Sequence, residues 1–283
     1  MNLEIKRTLE TFLRGFGQIM LQESSIAGIF FLVGIGLNSP IMLLGGVLAS
    51  ISGILTAYFL NYDKVSISRG LFGYNSALVG IMIFFQLAPS ALTFGCVIIG
   101  GAFSSIITQQ MHQHMPKFPA YTAPFVIAGW AIFLLANLFE ISTVQPQSLI
   151  LEDGDFFAAL RGIGQVMFQQ YWLTGAIILT GIYMHSKIAA IGALSGSILG
   201  VATGQIFGFP NDLIAMGIYS FNASLVGIAL VGYYGKNILP AVIGALISIL
   251  LTRSFDFLPL PGLTAPFVLS CWIIIGFSCK RIL

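Results

Sequence analysis

Eight neutral hydrogen-bonding side chains lie inside apolar stretches of this sequence and could bind a small polar solute. They are glutamines, asparagines and threonines, namely Gln18, Gln22, Gln165, Gln169, Asn75, Asn222, Thr122 and Thr264. Their oxygens accept hydrogen bonds without carrying a charge. Glu23 is the exception in these stretches, and a charge at the centre of a bilayer typically marks an ion or proton pathway. The pattern therefore favours passage of a neutral polar solute.

Residues suited to catalysis or metal binding have no matching spacing. His112 and His114 flank a single glutamine, and His185 lies beside Lys187. These histidines form neither a metal-binding helix motif nor a paired-carboxylate site. The three cysteines have no CxxC spacing and are typical of small buried apolar residues; they are Cys96, Cys271 and Cys279. We expect no enzyme activity, no metal and no cofactor.

The composition places these side chains in a membrane protein. Of the 283 residues, 57% are hydrophobic and only 8% are charged. Soluble proteins carry about 25% charged residues, which cover their surface. Lipid must therefore be the solvent for most of this surface. The net charge of +2 provides no basic patch, so nucleic-acid binding is excluded.

Internal duplication organises the chain. Three blocks occur twice in the same order, and the pairs are 14–22 with 161–169, 75–80 with 222–227, and 119–125 with 261–267. We interpret them as two homologous halves, residues 1–145 and 146–283.

Each half contains five apolar segments that approach the ~30 Å thickness of the hydrocarbon core. We predict spans at 17–37, 40–60, 71–88, 90–111 and 121–138, and then at 164–184, 188–207, 213–234, 238–253 and 264–279. Because five is an odd number of crossings, the second half is inverted in the membrane.

The basic residues indicate the orientation of the spans. Ten of the twelve fall on the side of the N-terminus, namely Lys6, Arg7, Arg14, Lys64, Arg69, Lys117, Lys187, Lys236, Lys280 and Arg281, whereas Arg161 and Arg253 do not. Basic residues concentrate on the cytoplasmic side. We therefore predict that both termini are cytoplasmic.

Glycines and prolines interrupt the predicted spans at matched positions. Gly70 precedes the span at 71–88, Gly217 lies near the start of the span at 213–234, and prolines break the entry to the fifth span of each half, namely Pro116, Pro119, Pro124, Pro259, Pro261 and Pro266. Irregular backbone at membrane depth is tolerated where it is buried or lines a wet cavity. Matched interruptions in inverted halves indicate a permeation site. The alternative is that these prolines only mark the ends of loops.

The doubled blocks resemble those of the urea transporter family over essentially the whole chain, and the compact length is similar to that of bacterial members. The resemblance implies an all-α polytopic membrane protein of two inverted repeats. Each repeat would contain five transmembrane helices plus a re-entrant pore helix, beginning near Leu71 or Gly217. It also implies a central pore in each subunit and a homotrimer surrounded by lipid in the cell inner membrane.

The resemblance also implies a slot in which ring faces cover urea and oxygen atoms along one edge accept its N–H groups. The oxygen edge would comprise Gln18, Gln165, Thr122 and Thr264. The stacking and narrowing residues would be Tyr74, Phe168, Phe221, Leu21, Ile19, Val166, Leu78 and Leu225. Leu21 and Tyr74 depart from the aromatic pattern of the other half, where Phe168 and Phe221 are their counterparts.

We therefore expect passive, channel-like diffusion of urea. Two alternatives stay open: a proton-coupled carrier that uses Glu23, and a channel for another small neutral solute such as a short amide, ammonia or water. Against the carrier, the repeat counterpart of Glu23 is Gln170. A membrane-embedded enzyme is the third reading, and no catalytic residue set supports it.

Overall fold

The computed structural model describes residues 3–144, 157–235 and 237–279, and these residues are helical apart from turns and one isolated bridge between Leu87 and Thr143. The predicted boundary between the halves, at residues 145 and 146, lies outside the described residues. So do Lys236, Lys280 and Arg281.

The chain divides into two compact units, Met1–Ser148 and Leu149–Leu283. The described part of the first unit contains α1 (Leu3–Gln18), α2 (Ser25–Asn38), α3 (Pro40–Phe59), α4 (Lys64–Ser68), α5 (Tyr74–Gln86), α6 (Ala91–His114) and α7 (Ala123–Leu138). The described part of the second unit contains α8 (Ala158–Gln165), α9 (Trp172–His185), α10 (Lys187–Ile206), α11 (Asn211–Ala215), α12 (Phe221–Tyr234), α13 (Leu239–Phe255) and α14 (Ala265–Cys279).

Among the described residues, three helices are long and apolar enough to cross a membrane, namely α3, α6 and α10. Seven further apolar helices are shorter. The 13 residues of α5 make a helix about 20 Å long, which is less than the ~30 Å of a hydrocarbon core. The described apolar helices therefore fall into two classes, membrane-length and shorter.

The first predicted span of each half, 17–37 and 164–184, is wrong as a continuous helix. In place of a helix over 17–37, α1 ends at Gln18 and α2 begins at Ser25. Leu21 adopts a left-handed backbone with φ of 58°, and the backbone nitrogen of Gln22 donates to the oxygen of Gly17 at 3.0 Å. This is the hydrogen bond that ends a helix in a Schellman motif. The same bond, from Gln169 to Gly164 at 3.1 Å, ends α8 and interrupts the predicted segment 164–184.

The predicted segment 213–234 is also interrupted. It begins within α11, and a turn at 216–220 separates this short helix from α12. Leu71 and Gly217, predicted as the first residues of pore helices, lie in the turns that precede α5 and α12. The other predicted segments coincide with helices to within three residues at each end.

Glycines allow close packing inside each unit. A Cβ atom on Gly80 would clash with the carbonyl oxygen of Gly45, so α5 touches α3 through backbone atoms. A Cβ atom on Gly227 would clash with Gly192 in the same way, where α12 meets α10. Small residues at helix contacts are typical of membrane proteins, because hydrocarbon solvent provides little hydrophobic drive and close packing must replace it.

Candidate permeation site

Two glutamines at the ends of α1 and α8 have fixed side-chain amides. The Nε2 atom of Gln18 donates to the carbonyl oxygen of Arg69 at 3.2 Å, and that of Gln165 donates to the oxygen of Met216 at 3.1 Å. Gln18 is half-buried and Gln165 is buried. Because the nitrogen of each amide is bonded to the backbone, its oxygen is the atom that can accept a hydrogen bond from a solute.

Arginines position the turns that these glutamines contact. Arg14 donates from Nη1 to the oxygen of Ser68 at 3.2 Å, and Arg161 donates to the oxygen of Ala215 at 3.1 Å. Arg161 is only 3% exposed. From the sequence, these arginines were predicted only to lie on one or the other side of the membrane; their contacts were not predicted, although both lie in the doubled block that contains the glutamines. Each arginine ties its helix to the end of the short α4 or α11.

Glu23 is bound to a partner. Its Oε2 atom lies 2.8 Å from Nε of Arg69, and both side chains are partly exposed. The counterparts in the second half are Gln170 and Met216, which cannot form an ion pair. The carboxylate therefore forms a salt bridge beside the carbonyl group that holds Gln18.

Asparagines of the second doubled block join the short helices to the chain that leads into α7 and α14. Nδ2 of Asn75 donates to the oxygen of Tyr121 at 3.2 Å, and its Oδ1 accepts from the backbone nitrogen of Phe125 at 3.3 Å. In the second unit, Asn222 donates to Leu263 at 3.3 Å and accepts from Phe267 at 3.2 Å. Both asparagines are fully buried, and their hydrogen bonds are used within the protein.

The residues that precede the two predicted threonines have left-handed backbones. Tyr121 has φ of 45° and Leu263 has φ of 46°. A non-glycine residue in this conformation costs about 1–3 kcal/mol and persists where its surroundings hold it. The asparagine bonds to these same two carbonyl groups supply that support. Thr122 and Thr264 come next in the chain, and both are buried.

The predicted aromatic residues differ in their surroundings. Tyr74 is buried, and its hydroxyl group donates to the carbonyl oxygen of Tyr121 at 2.5 Å. Its counterpart Phe221 has no hydroxyl group and is half-buried, as is Phe168. Leu21, the counterpart of Phe168, is half-buried too. Tyr74 therefore also holds the backbone beside Thr122, a role that the sequence did not indicate.

The other four predicted aliphatic residues, Ile19, Val166, Leu78 and Leu225, are all buried. Within the first unit, α5 packs against both α1 and α7, and within the second, α12 packs against both α8 and α14. In each unit the predicted leucine therefore lies on a short central helix, which packs against the helix that carries the glutamine and against the helix that begins directly after the threonine. That these residues line an opening stays a prediction.

Comparisons with known proteins agree with the doubled blocks. The model of the urea transporter family matches residues 9–278. The chain is 29% identical over 301 residues to Urea transporter 1 of Ovis aries, with 95% of this chain and 77% of that protein covered. It is 29% identical over 250 residues to Urea transporter 1 of Mus musculus, with 80% of this chain and 63% of that protein covered. Because the family match spans nearly the whole chain, the protein belongs to the urea transporter family.

Proposed function

We propose that this protein is a passive channel for urea in the cell inner membrane. The observation that carries the proposal is the fixed orientation of the Gln18 and Gln165 amides, whose nitrogens are bonded to Arg69 and Met216. Membership of the urea transporter family supports urea as the solute.

Urea is flat and neutral, with four N–H donors and one carbonyl oxygen. Removing a polar group from water without a replacement hydrogen bond costs about 2–7 kcal/mol. Amide and hydroxyl oxygens of Gln18, Gln165, Thr122 and Thr264 replace those bonds along one edge of the path. The aromatic rings of Tyr74, Phe168 and Phe221 cover the plane of the molecule, and Leu21, Ile19, Val166, Leu78 and Leu225 keep the path narrow.

The same proposal includes inverted repeats of five transmembrane helices plus a re-entrant helix, and a homotrimer with a pore in each subunit. Equal local geometry supports duplication: the Asn75 and Asn222 bonds match, and the φ angles of Tyr121 and Leu263 differ by one degree. The short α5 and α12, each preceded by a glycine turn, are the candidates for the re-entrant helices.

Neutral groups in the path disfavour ions. Transfer of a bare ion into a medium of low dielectric constant costs on the order of 20 kcal/mol in the idealised limit. The carrier alternative needs a proton site, and Glu23 is engaged with Arg69 at 2.8 Å. A passive mechanism therefore accounts for the arrangement without an energy source.

Urea flux into proteoliposomes tests the proposal. We expect a flux above that of empty vesicles that does not change with membrane potential or with a pH gradient. Accumulation of urea against its gradient when a pH gradient is imposed would support the carrier instead. Absence of urea flux, together with flux of formamide or water, would assign the channel to another neutral solute.

A further inference from the structure

An apolar groove runs along the second unit, and its lining includes none of the residues proposed to bind urea. It lies among α10, α12 and α13 and has a volume of about 690 Å³. Gly192 and Gly227 form part of its lining, and its rim includes Ile188, Ile191 and Ile238. These three isoleucines are 64–65% exposed, so the groove opens on the outer surface of the unit.

The corresponding position of the first unit is filled. Phe84 is the repeat counterpart of Val231, and its ring lies against Phe94 with the centroids 4.9 Å apart. A Cβ atom on Gly45 would contact the Phe84 ring, whereas the three atoms nearest to a Cβ on its counterpart Gly192 belong to the backbone of residues 227 and 228. Gly232 stands where the first unit has Phe85, and a Cβ atom there would meet no atom within 4 Å. The groove is therefore a feature of the second unit, produced by Val231 and Gly232 where the first unit has two phenylalanines.

The shape and lining of the groove suit a hydrocarbon chain. From Ser186 to Leu199 it follows α10 for about 20 Å, about two-thirds of the ~30 Å hydrocarbon core. An apolar cavity does not hold water, because water needs polar partners there. Lipid is the solvent that the surface of a membrane protein offers at this depth.

One end of the groove carries a positive charge. Ser186 lines the groove and caps α10 by accepting from the backbone nitrogen of Ala189 at 3.2 Å. The next residue, Lys187, is exposed, with its Nζ atom 5.7 Å from the centroid of the Tyr183 ring. The positive end of the helix dipole lies at the same place. No Asp or Glu occurs in residues 183–199 or 225–245, so the charge complements a phosphate group.

We propose that this groove binds one acyl chain of an anionic phospholipid, whose headgroup lies beside Lys187. The site goes beyond the proposed urea path, since Val231 and Lys187 are not among the residues assigned to urea.

Lipid titration followed by native mass spectrometry tests the site. Purified protein is titrated with dioleoyl phosphatidylglycerol and, separately, with dioleoyl phosphatidylcholine. We expect the wild type to bind one phosphatidylglycerol per chain more tightly than further lipids. Val231→Phe introduces the residue type that fills the corresponding position of the first unit, and it should abolish this binding. Val33→Phe, the same change at an exposed position of α2, should leave it intact.

Two further variants separate the acyl chain from the headgroup. Gly232→Leu fills the same groove from a position with open space around it, so it should also abolish the tight lipid while urea flux stays at the wild-type level. Lys187→Gln should lower the preference for phosphatidylglycerol over phosphatidylcholine about fivefold.

Retention of the tight lipid in both filled variants would overturn the proposal. So would a change in oligomeric mass without loss of lipid, because the groove would then be a contact between copies of the chain. Equal binding of the two lipids by the wild type would overturn the headgroup assignment.

Discussion

The side-chain oxygen of Asn75 accepts a hydrogen bond from the backbone nitrogen of Phe125 at 3.3 Å, across 50 residues of sequence. This bond joins the first turn of α5 to the first turn of α7. Since the nitrogen of the same amide donates to Tyr121, the asparagine holds the backbone on both sides of Thr122. The second unit repeats this geometry, with the side-chain oxygen of Asn222 accepting from the backbone nitrogen of Phe267 at 3.2 Å.

Asn222→Ala should strongly destabilise the protein. The change leaves the carbonyl oxygen of Leu263 and the backbone nitrogen of Phe267 without their asparagine partner, at about 1–3 kcal/mol for each buried group left unpaired. Thermal unfolding in detergent, followed by circular dichroism, measures the loss. Asn211→Ala, at an exposed position, is the control, and equal melting temperatures for the two variants would contradict the role assigned to Asn222.

Tyr74→Phe should cost about 1 kcal/mol of stability and change urea flux less than twofold. The variant loses the hydroxyl bond to Tyr121, but the same carbonyl oxygen keeps its bond from Asn75, so the group is not left unpaired. Unfolding experiments and stopped-flow urea flux check the two quantities. Tyr183→Phe changes an exposed tyrosine and serves as the control. A large loss of flux in Tyr74→Phe would show that the hydroxyl group contacts urea.

Thr122→Val and Thr264→Val should each lower urea flux by roughly 5- to 150-fold. Valine keeps the shape but removes an acceptor, and a urea donor left unpaired at a buried site costs about 1–3 kcal/mol. Thr180→Val, at an exposed position of α9, controls for a general effect of the substitution. Wild-type flux in both variants would remove the threonines from the proposed path.

Glu23→Gln distinguishes the channel from the carrier. The salt bridge with Arg69 is partly exposed, so its loss should change stability by about 1 kcal/mol or less. Passive urea flux should stay unchanged at every pH gradient tested. If the wild type accumulates urea in response to a pH gradient and Glu23→Gln does not, the protein is a proton-coupled carrier.

Sequence alone was sufficient to predict a membrane protein, its relation to the urea transporter family and most of its helices. Composition determines whether lipid or water covers the surface, and the doubled blocks carry the resemblance that the family match confirmed. The predicted helix over 40–60 corresponds to α3, Pro40–Phe59, because a serine cap followed by a proline signals the start of a helix and a long apolar run follows them.

Only the tertiary structure shows where the helices are interrupted and which partners the polar side chains bind. Leucine and phenylalanine rarely adopt a left-handed backbone, so neither Leu21 nor Phe168 signals the end of a helix in sequence. The partners of Asn75 lie between 33 and 50 residues away, and no local pattern records a contact at that separation. The groove beside Val231 depends on which side chain fills a gap between three helices, and this volume exists only once the helices have packed.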